Sequence, residues 1–191
     1  MTREIKTEKE FVEATRERED LLTHFNSVIL STVDDSGEPN ASYAPAAVDE
    51  NCNFYIYVSA LARHSTNLKA TGKASLMIIE DESTAATLFA RRRLTLEVKV
   101  SVIKWESKKW NTAFVILEKK FKKKVGMLKN LIDFDLFLLK PSEGILVYGF
   151  GKAFRVYGKG LKQIGYVGTK GGHRRNPEGR RAENPESQKA G

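Results

Sequence analysis

The stretch "RLTLEVKVSVI", residues 93 to 103, shows the most regular two-residue alternation in the chain. Apolar side chains fill every second position from Leu94 to Val102, and polar or charged ones fill the positions from Thr95 to Ser101 between them. Because successive side chains of a strand point to opposite faces, this pattern predicts a β-strand that presents one apolar face.

The flanking segments extend this prediction to a mainly β (α+β) protein. Further strands are predicted at 27–33, 41–48, 54–60, 74–80, 134–140, 144–150 and 152–158. Of these, the nearly continuous apolar segment 74–80 predicts a buried strand. Helices are predicted at 8–24, at 62–72 and from Ser107 onwards, and a helical turn capped by Ser83 at 83–90. Few helices lie between the strands, which favours an antiparallel barrel over a βαβ sheet.

Composition limits the class of protein. The chain has 191 residues, of which 41% are hydrophobic, enough for one domain with a core. We expect an N-terminal helix at 1–25, a barrel domain at 26–167 and a flexible basic tail at 168–191. The single cysteine and the lack of an apolar leader or spanning segment predict a cytoplasmic protein without stable membrane insertion.

A net charge of +8 favours an anionic partner, such as a nucleic acid, a phosphate or a carboxylate-bearing ligand. The common nucleotide-phosphate loops are absent from the sequence, as are the C-x-x-C and H-E-x-x-H patterns of zinc sites. The lysine run "KKFKKK" (119–124) contains a single aromatic residue, which belongs to the apolar stripe of a helix. A solvated helix face therefore explains this run better than nucleic-acid binding, and no nucleic-acid partner is predicted.

Two basic segments are candidate anion sites. Arg63 and His64 follow a predicted strand and begin a helix, where free backbone N–H groups favour phosphates and carboxylates. The alternative is a capped surface turn. The arginines at 91–93 stand at the start of the best strand, where Arg91 and Arg93 share a face; here the alternative is a solvated basic edge.

The remaining histidines and one acidic pair are the other residues considered as functional candidates. His24 ends the first helix, an ordinary place for a basic side chain. Asp133 and Asp135 bracket Phe134, either as turn caps or as carboxylates that orient a partner. His173 stands in the polar stretch "GTKGGHRRNPEGRR" (168–181), either as a tail residue without a role or as a metal ligand on a flexible arm.

Three segments together resemble a known family: "SVILSTVDDSGEPNASYAPAAV", "FYIYVSALARHSTNLKATGKASLMIIED" and "LFARRRLTLEV". They are similar to the haem-utilisation (HutZ/HugZ-type) proteins of the pyridoxamine-5′-phosphate-oxidase-like split-barrel superfamily. The resemblance runs from about Leu21 to His173. It implies a homodimer of split barrels that binds haem at the subunit interface, with oxidative opening of the ring in several members.

The resemblance also assigns residues. The family's axial histidine matches His173, a carboxylate that supports it matches Asp133, and a basic haem-pocket residue matches Arg93. A neutral imidazole would ligate the iron while Asp133 fixes its tautomer. Arg93 would attract a propionate or an oxygen-derived anion by its charge.

The resemblance leaves three functions open. The first is oxidative haem degradation to a biliverdin-type product with iron release, which needs an unidentified electron donor. The second is haem storage or transfer without turnover. The third is an FMN-dependent oxidoreductase: the flavin-binding members hold the phosphate with an arginine and a lysine where this chain reads "SYAP" and "ARHS", although Arg63 and His64 could substitute.

Overall fold

The computed structural model describes residues 7–129 and 131–167. Its strands are β1 Ser27–Val33, β2 Pro39–Val48, β3 Phe54–Ser59, β4 Lys73–Ile79, β5 Arg93–Val102, β6 Phe134–Val147, β7 Ala153–Tyr157 and β8 Gln163–Tyr166. Its helices are α1 Glu8–His24, α2 Arg63–Thr71, α3 Lys108–Phe121 and α4 Lys123–Leu128. Short 3₁₀ turns occupy Glu82–Thr84, Leu88–Ala90 and Lys159–Leu161.

All neighbouring strands are antiparallel, in the order β3-β2-β1-β4-β5-β6-β7-β8, and β6 pairs with β3 as well. The β3–β6 pairing closes six strands into a barrel. The first part of β6 pairs with β3 and its last part pairs with β7, so β7 and β8 branch away from the closed barrel. The predicted mainly β, antiparallel split barrel is confirmed.

Strand β6 is one long strand where the sequence suggested two, at 134–140 and 144–150. Between them, Pro141 lies opposite Val98, next to a register shift between β5 and β6. At such an irregularity the missing N–H of proline costs no regular ladder hydrogen bond. Gly144 follows, where a Cβ atom would collide with the Thr95 carbonyl oxygen of β5. The Pro-Ser-Glu-Gly segment therefore continues the strand.

The apolar residues form two clusters. The larger one fills the barrel and includes Ala14 and Leu21 of α1, so the first helix packs on the same core. The smaller one lies between α3 and the outside of the barrel, and contains Trp110 and Phe114 of the predicted apolar stripe. Ser107 caps α3 by accepting a hydrogen bond from the Trp110 N–H at 3.1 Å.

Two local predictions are wrong. Segment 74–80 is not buried throughout: Leu76 and Ile78 face the core, and the alternate side chains are partly exposed because only one face of β4 packs inward. The 3₁₀ turn after β4 is capped by Asp81 and not by Ser83, because the Asp81 carboxylate accepts a hydrogen bond from the Ser83 N–H at 2.8 Å. In the described ranges, no helix is both long and apolar enough to cross a membrane.

Candidate functional site

The arginines at 91–93 differ sharply in their partners. The Arg91 guanidinium contacts the Glu82 carboxylate at 2.7 Å and donates to the Glu80 carbonyl oxygen. This arginine is therefore tied to the turn that follows β4. It holds the approach to β5 in place and has little capacity left for a ligand.

Arg92 is held by three carboxylates. Its guanidinium lies 2.7 Å from Glu17, 2.7 Å from Asp20 and 3.2 Å from Glu80. Burial alone would lower the pKa of Arg92, but these carboxylates raise it, and the hydrogen bond from Arg92 is the main cause of the lowered pKa of Asp20. Since Glu17 and Asp20 belong to α1, Arg92 fastens the first helix to the β4–β5 edge.

Arg93 is the arginine of this run that keeps its charge available. One of its guanidinium nitrogens donates to the Arg91 carbonyl oxygen at 3.0 Å. No carboxylate among the described residues pairs with it, so most of its donors remain free for an anion. Its side chain is partly buried at the first position of β5.

An open cavity of about 820 Å³ lies at this end of the barrel. Its wall combines the end of α1 at Asp20 and His24, the outer face of the sheet at Ile29 and Tyr43, and the arginine-bearing edge at Arg91. Such a volume suits a small-molecule ligand. Arg93 stands beside this wall but does not line the cavity of a single chain.

The start of α2 is less cationic than its sequence suggests. The Arg63 guanidinium is 3.3 Å from the Asp34 carboxylate of the β1–β2 turn. Burial lowers the pKa of His64, so its imidazole favours the neutral form, and its Nε2 atom is buried without a described hydrogen-bond partner. The nearby Ser59, the last residue of β3, does have a described partner: its hydroxyl accepts a hydrogen bond from the Leu61 N–H at 3.2 Å.

Asp133 lies next to this second group. Its carbonyl oxygen accepts a hydrogen bond from the Ala60 N–H at 2.6 Å, which fixes it beside the end of β3, and its side chain is exposed. Asp135 is instead paired with Lys69 of α2 at 2.6 Å. Of the two aspartates, Asp133 is thus the one whose carboxylate is open to a partner.

The predicted site residues lie at two ends of one strand. Arg93 pairs with Val147 at the end of β6, while Ser59, just before α2, pairs with Phe134 at its beginning. Strand β6 has 14 residues, so these ends lie about 40 Å apart along the strand at roughly 3.3 Å per residue. A single chain therefore does not bring Arg93 together with Arg63, His64 and Asp133.

The outer face of the sheet carries a row of mostly apolar side chains, called here the apolar row. The strand register places five side chains side by side across β2, β1, β4, β5 and β6: Tyr43, Ile29, Met77, Thr95 and Ile145. Tyr43 is 68% exposed and Ile145 38%. Contiguous exposed apolar side chains of this kind mark interaction surfaces.

Two of the predicted histidines lie outside both groups of site residues. His173 lies outside the described residues. His24 is exposed at the end of α1, where its Nδ1 atom is 3.0 Å from the Asp20 carboxylate. Sequence reasoning missed the carboxylates that pair with the arginines: Glu82 is nine residues from Arg91, whereas Asp34 and Glu17 are far in the chain from Arg63 and Arg92. The sequence spacing carried no signal for those contacts.

The fold is that of an antiparallel split-barrel protein, in which Arg93 is separated from Arg63, His64 and Asp133. A family model described as pyridoxamine 5′-phosphate oxidase matches residues 14–148. Over 150 residues the chain is 38% identical to the haem oxygenase HutZ of Vibrio cholerae, a match that covers 78% of this chain and 84% of that protein.

Solved structures agree with this relationship. A crystal structure of HutZ from Vibrio cholerae, there described as a haem storage protein, matches with a TM-score of 0.66 and 32% identity, covering 78% of this chain and 97% of that one. Campylobacter jejuni ChuZ matches with a TM-score of 0.76 and 28% identity, covering 91% of this chain and 68% of that one. The chain belongs to the pyridoxamine 5′-phosphate oxidase family, and the predicted similarity to HutZ-type proteins is confirmed.

Proposed function

We propose that this chain is a cytoplasmic haem-binding protein of haem utilisation that acts as a homodimer. The observation that carries the proposal is the environment of Arg93. This arginine is partly buried, and no carboxylate among the described residues pairs with it. It lies beside an open cavity and an exposed apolar row of side chains. A haem has an apolar ring and two carboxylates, so it needs this combination of surfaces. The similarity to HutZ supports the same ligand.

The ligand would be shared between two chains. One haem is far smaller than the separation of about 40 Å along β6 between Arg93 and the Asp133 region. In a twofold dimer joined through the apolar row, the Arg93 end of one chain can meet the Asp133 end of its partner. We therefore assign Arg93 and Asp133 in each site to different chains.

Each residue has a distinct task in this arrangement. Arg93 binds an anionic group of the ligand through charge-assisted hydrogen bonds. His173, on the segment that follows β8, would ligate the iron, and Asp133 would accept a hydrogen bond from the N–H of its other ring nitrogen, which would fix the tautomer. The haem itself supplies the redox chemistry.

We favour oxidative degradation of the haem over storage. Degradation to a biliverdin-type product with iron release requires an electron donor, which is unidentified. HutZ is described both as a haem oxygenase and as a haem storage protein, so similarity alone leaves both outcomes to experiment. A haem-loaded protein given a reductant under oxygen should lose its Soret band and yield a biliverdin-type product. A stable ferrous complex would favour storage or transfer.

FMN is the second candidate, because flavin enzymes share this family. The residues that could hold its phosphate are poorly available here: Arg63 is paired with Asp34, and burial lowers the pKa of His64, which favours its neutral form. A phosphate would have to compete with Asp34 for Arg63, so we expect FMN to bind weakly or not at all.

Parallel titrations with haemin and FMN test the proposal. Purified full-length protein should bind one haemin per chain with a sharp Soret band, and FMN should leave its spectrum unchanged. Protein that retains yellow FMN through purification would reverse this ranking.

The histidines provide matched variants for the same titration. We expect His173→Ala to lower haem affinity by about tenfold or more, as for loss of a key metal-site group. His24→Ala is the control, since His24 is exposed and already paired with Asp20. If the ferrous iron–histidine Raman band survives in His173→Ala and disappears in His64→Ala, the buried Nε2 of His64 is the ligand.

A further inference from the structure

A second surface lies on α4 and its flanks, and none of the residues that form it lines the cavity beside Arg93. Residues 119–132 contain six lysines and no acidic residue, so this short segment concentrates positive charge. Lys122, Lys123 and Lys124 are all exposed, and no carboxylate among the described residues pairs with them. Local charge of this density attracts an anionic partner.

The same segment exposes large apolar side chains. Helix α4 has six residues and buries Val125 against the smaller core cluster, which leaves Met127 facing outward at 80% exposure. Ile132, a few residues further on, is fully exposed too, but it adjoins Asp133 of the proposed haem site and is not counted in this surface. Met127 thus projects as a single large apolar side chain among lysines, an arrangement that suits the apolar boundary region of a bilayer.

Trp105 belongs to this surface as well. Its ring packs on Trp110 at 4.6 Å between centroids, and the Lys129 ammonium lies 5.6 Å from the Trp110 ring. Trp105 remains 43% exposed. Tryptophan beside lysines is typical of side chains that sit at a membrane–water boundary.

We propose that this surface, formed by Trp105, Lys122, Lys123, Lys124 and Met127, attaches the protein reversibly to an anionic lipid bilayer. The lysines would lie over the charged headgroups, and Met127 would enter the boundary of the acyl region. Nucleic acid fits this surface less well, because Trp105 is its single aromatic ring and is partly covered by Trp110, which leaves no row of rings on which successive bases could stack. The inference is independent of which cofactor the barrel binds.

Vesicle co-sedimentation of the full-length protein tests the proposal. The protein should bind vesicles that contain phosphatidylcholine and phosphatidylserine, and it should dissociate from them as the salt concentration rises. It should not bind vesicles of phosphatidylcholine alone. Lys122→Gln, Lys123→Gln and Lys124→Gln together should weaken the partition about a hundredfold, at roughly fivefold per lysine. Met127→Asp should weaken it about tenfold.

A matched control removes three exposed lysines elsewhere: Lys9→Gln, Lys159→Gln and Lys162→Gln. This control should lose far less binding, and both triple variants should keep the haem titration of the unmodified protein. Equal losses in the two triple variants would overturn the proposal, because net charge alone would then explain binding. Binding to duplex DNA but not to anionic vesicles would overturn it too, as would dissociation of a dimer by Met127→Asp.

Discussion

Two basic runs, the arginines at 91–93 and the lysines at 119–124, look alike in sequence and differ in the structure. In the first run, Arg91 and Arg92 are paired with Glu82, Glu17, Asp20 and Glu80. In the second run, no carboxylate among the described residues pairs with any lysine. The first run therefore holds the fold together, while the second presents surplus charge.

The difference shows how to recognise a functional cation. Arg93 stands out because its two neighbours are already occupied and it is not. Lys120 stands out in the opposite way: its ammonium lies 3.4 Å from the centre of the Phe25 ring, and burial lowers its pKa to about 8. Arg93 carries a charge without a described carboxylate partner, and Lys120 carries a charge that the fold disfavours.

The largest expected effect is that of Arg92→Ala. It leaves Glu17, Asp20 and Glu80 without their shared cation and releases α1 from the β4–β5 edge. Because these groups are partly exposed, we expect a loss of about 3 kcal/mol in the free energy of unfolding, measured by urea denaturation. Arg155→Ala, which removes an exposed pair with Glu143, should cost less than about 1 kcal/mol.

The unmodified protein and Arg92→Ala should also differ in how their free energy of unfolding depends on pH. Arg92 lowers the pKa of Asp20 in the folded state, so this contribution is present above the ordinary value of 3.8 and is lost as pH falls through the lower folded pKa. The stability gap between unmodified protein and Arg92→Ala should therefore narrow below about pH 4. A constant gap down to pH 3 would contradict the role of Asp20.

Lys120→Met should stabilise the protein. The folded pKa of about 8 lies below the ordinary 10.5, so the charged lysine disfavours folding at neutral pH. Allowing for screening by water at this half-buried site, we expect a gain of about 1 to 2 kcal/mol at pH 7. The gain should shrink as pH rises from about 8 towards 10.5, because deprotonation then stabilises the unmodified protein.

Thermal or urea unfolding across that pH range measures the effect. Lys119→Met is the control, since Lys119 is the exposed neighbour on α3. If both variants gain equally at pH 7, the benefit comes from the methionine and not from removal of a desolvated charge.

Arg93→Ala should separate function from folding. The lost contact is a hydrogen bond to the Arg91 carbonyl, so stability should change by less than about 1 kcal/mol. Haem affinity should fall about tenfold, the value of a charge-assisted hydrogen bond of roughly 1.4 kcal/mol. A large loss in the free energy of unfolding with unchanged haem affinity would show that Arg93, like Arg92, supports the fold and not the ligand.

The smallest effect is expected for the triple replacement of Lys122, Lys123 and Lys124 by glutamine. These side chains are exposed and have no described carboxylate partner, so the free energy of unfolding should change by less than about 0.5 kcal/mol. A larger change in urea denaturation would show that the lysine run also supports the fold.

The sequence predicted the barrel well because its strands carry local signals. The alternation of β5 and the apolar stripe of α3 each follow from neighbouring residues, and the structure contains both elements. The continuity of β6 was missed because it depends on a register shift against β5, a contact between segments far apart in the chain.

The candidate site was predicted as a set of residues but not as a geometry. Arg93, Arg63, His64 and Asp133 were named from motifs and resemblance, yet nothing local shows that β6 separates Arg93 from the other three. The carboxylates that occupy Arg63 and Arg92 are also distant in sequence. Long-range pairing thus decides which of the basic residues remain free.

The central claim is that Arg93 and Asp133 of one haem site come from different chains. It is tested most directly by haem titration of purified heterodimers that carry two different tags. A heterodimer of Arg93→Ala with Asp133→Ala should retain one intact site of two. A heterodimer of the double variant with the unmodified chain should retain none, because each site then lacks one of the two residues. The reverse pattern, no intact site in the first and one in the second, would place both residues in a site within a single chain and contradict the account.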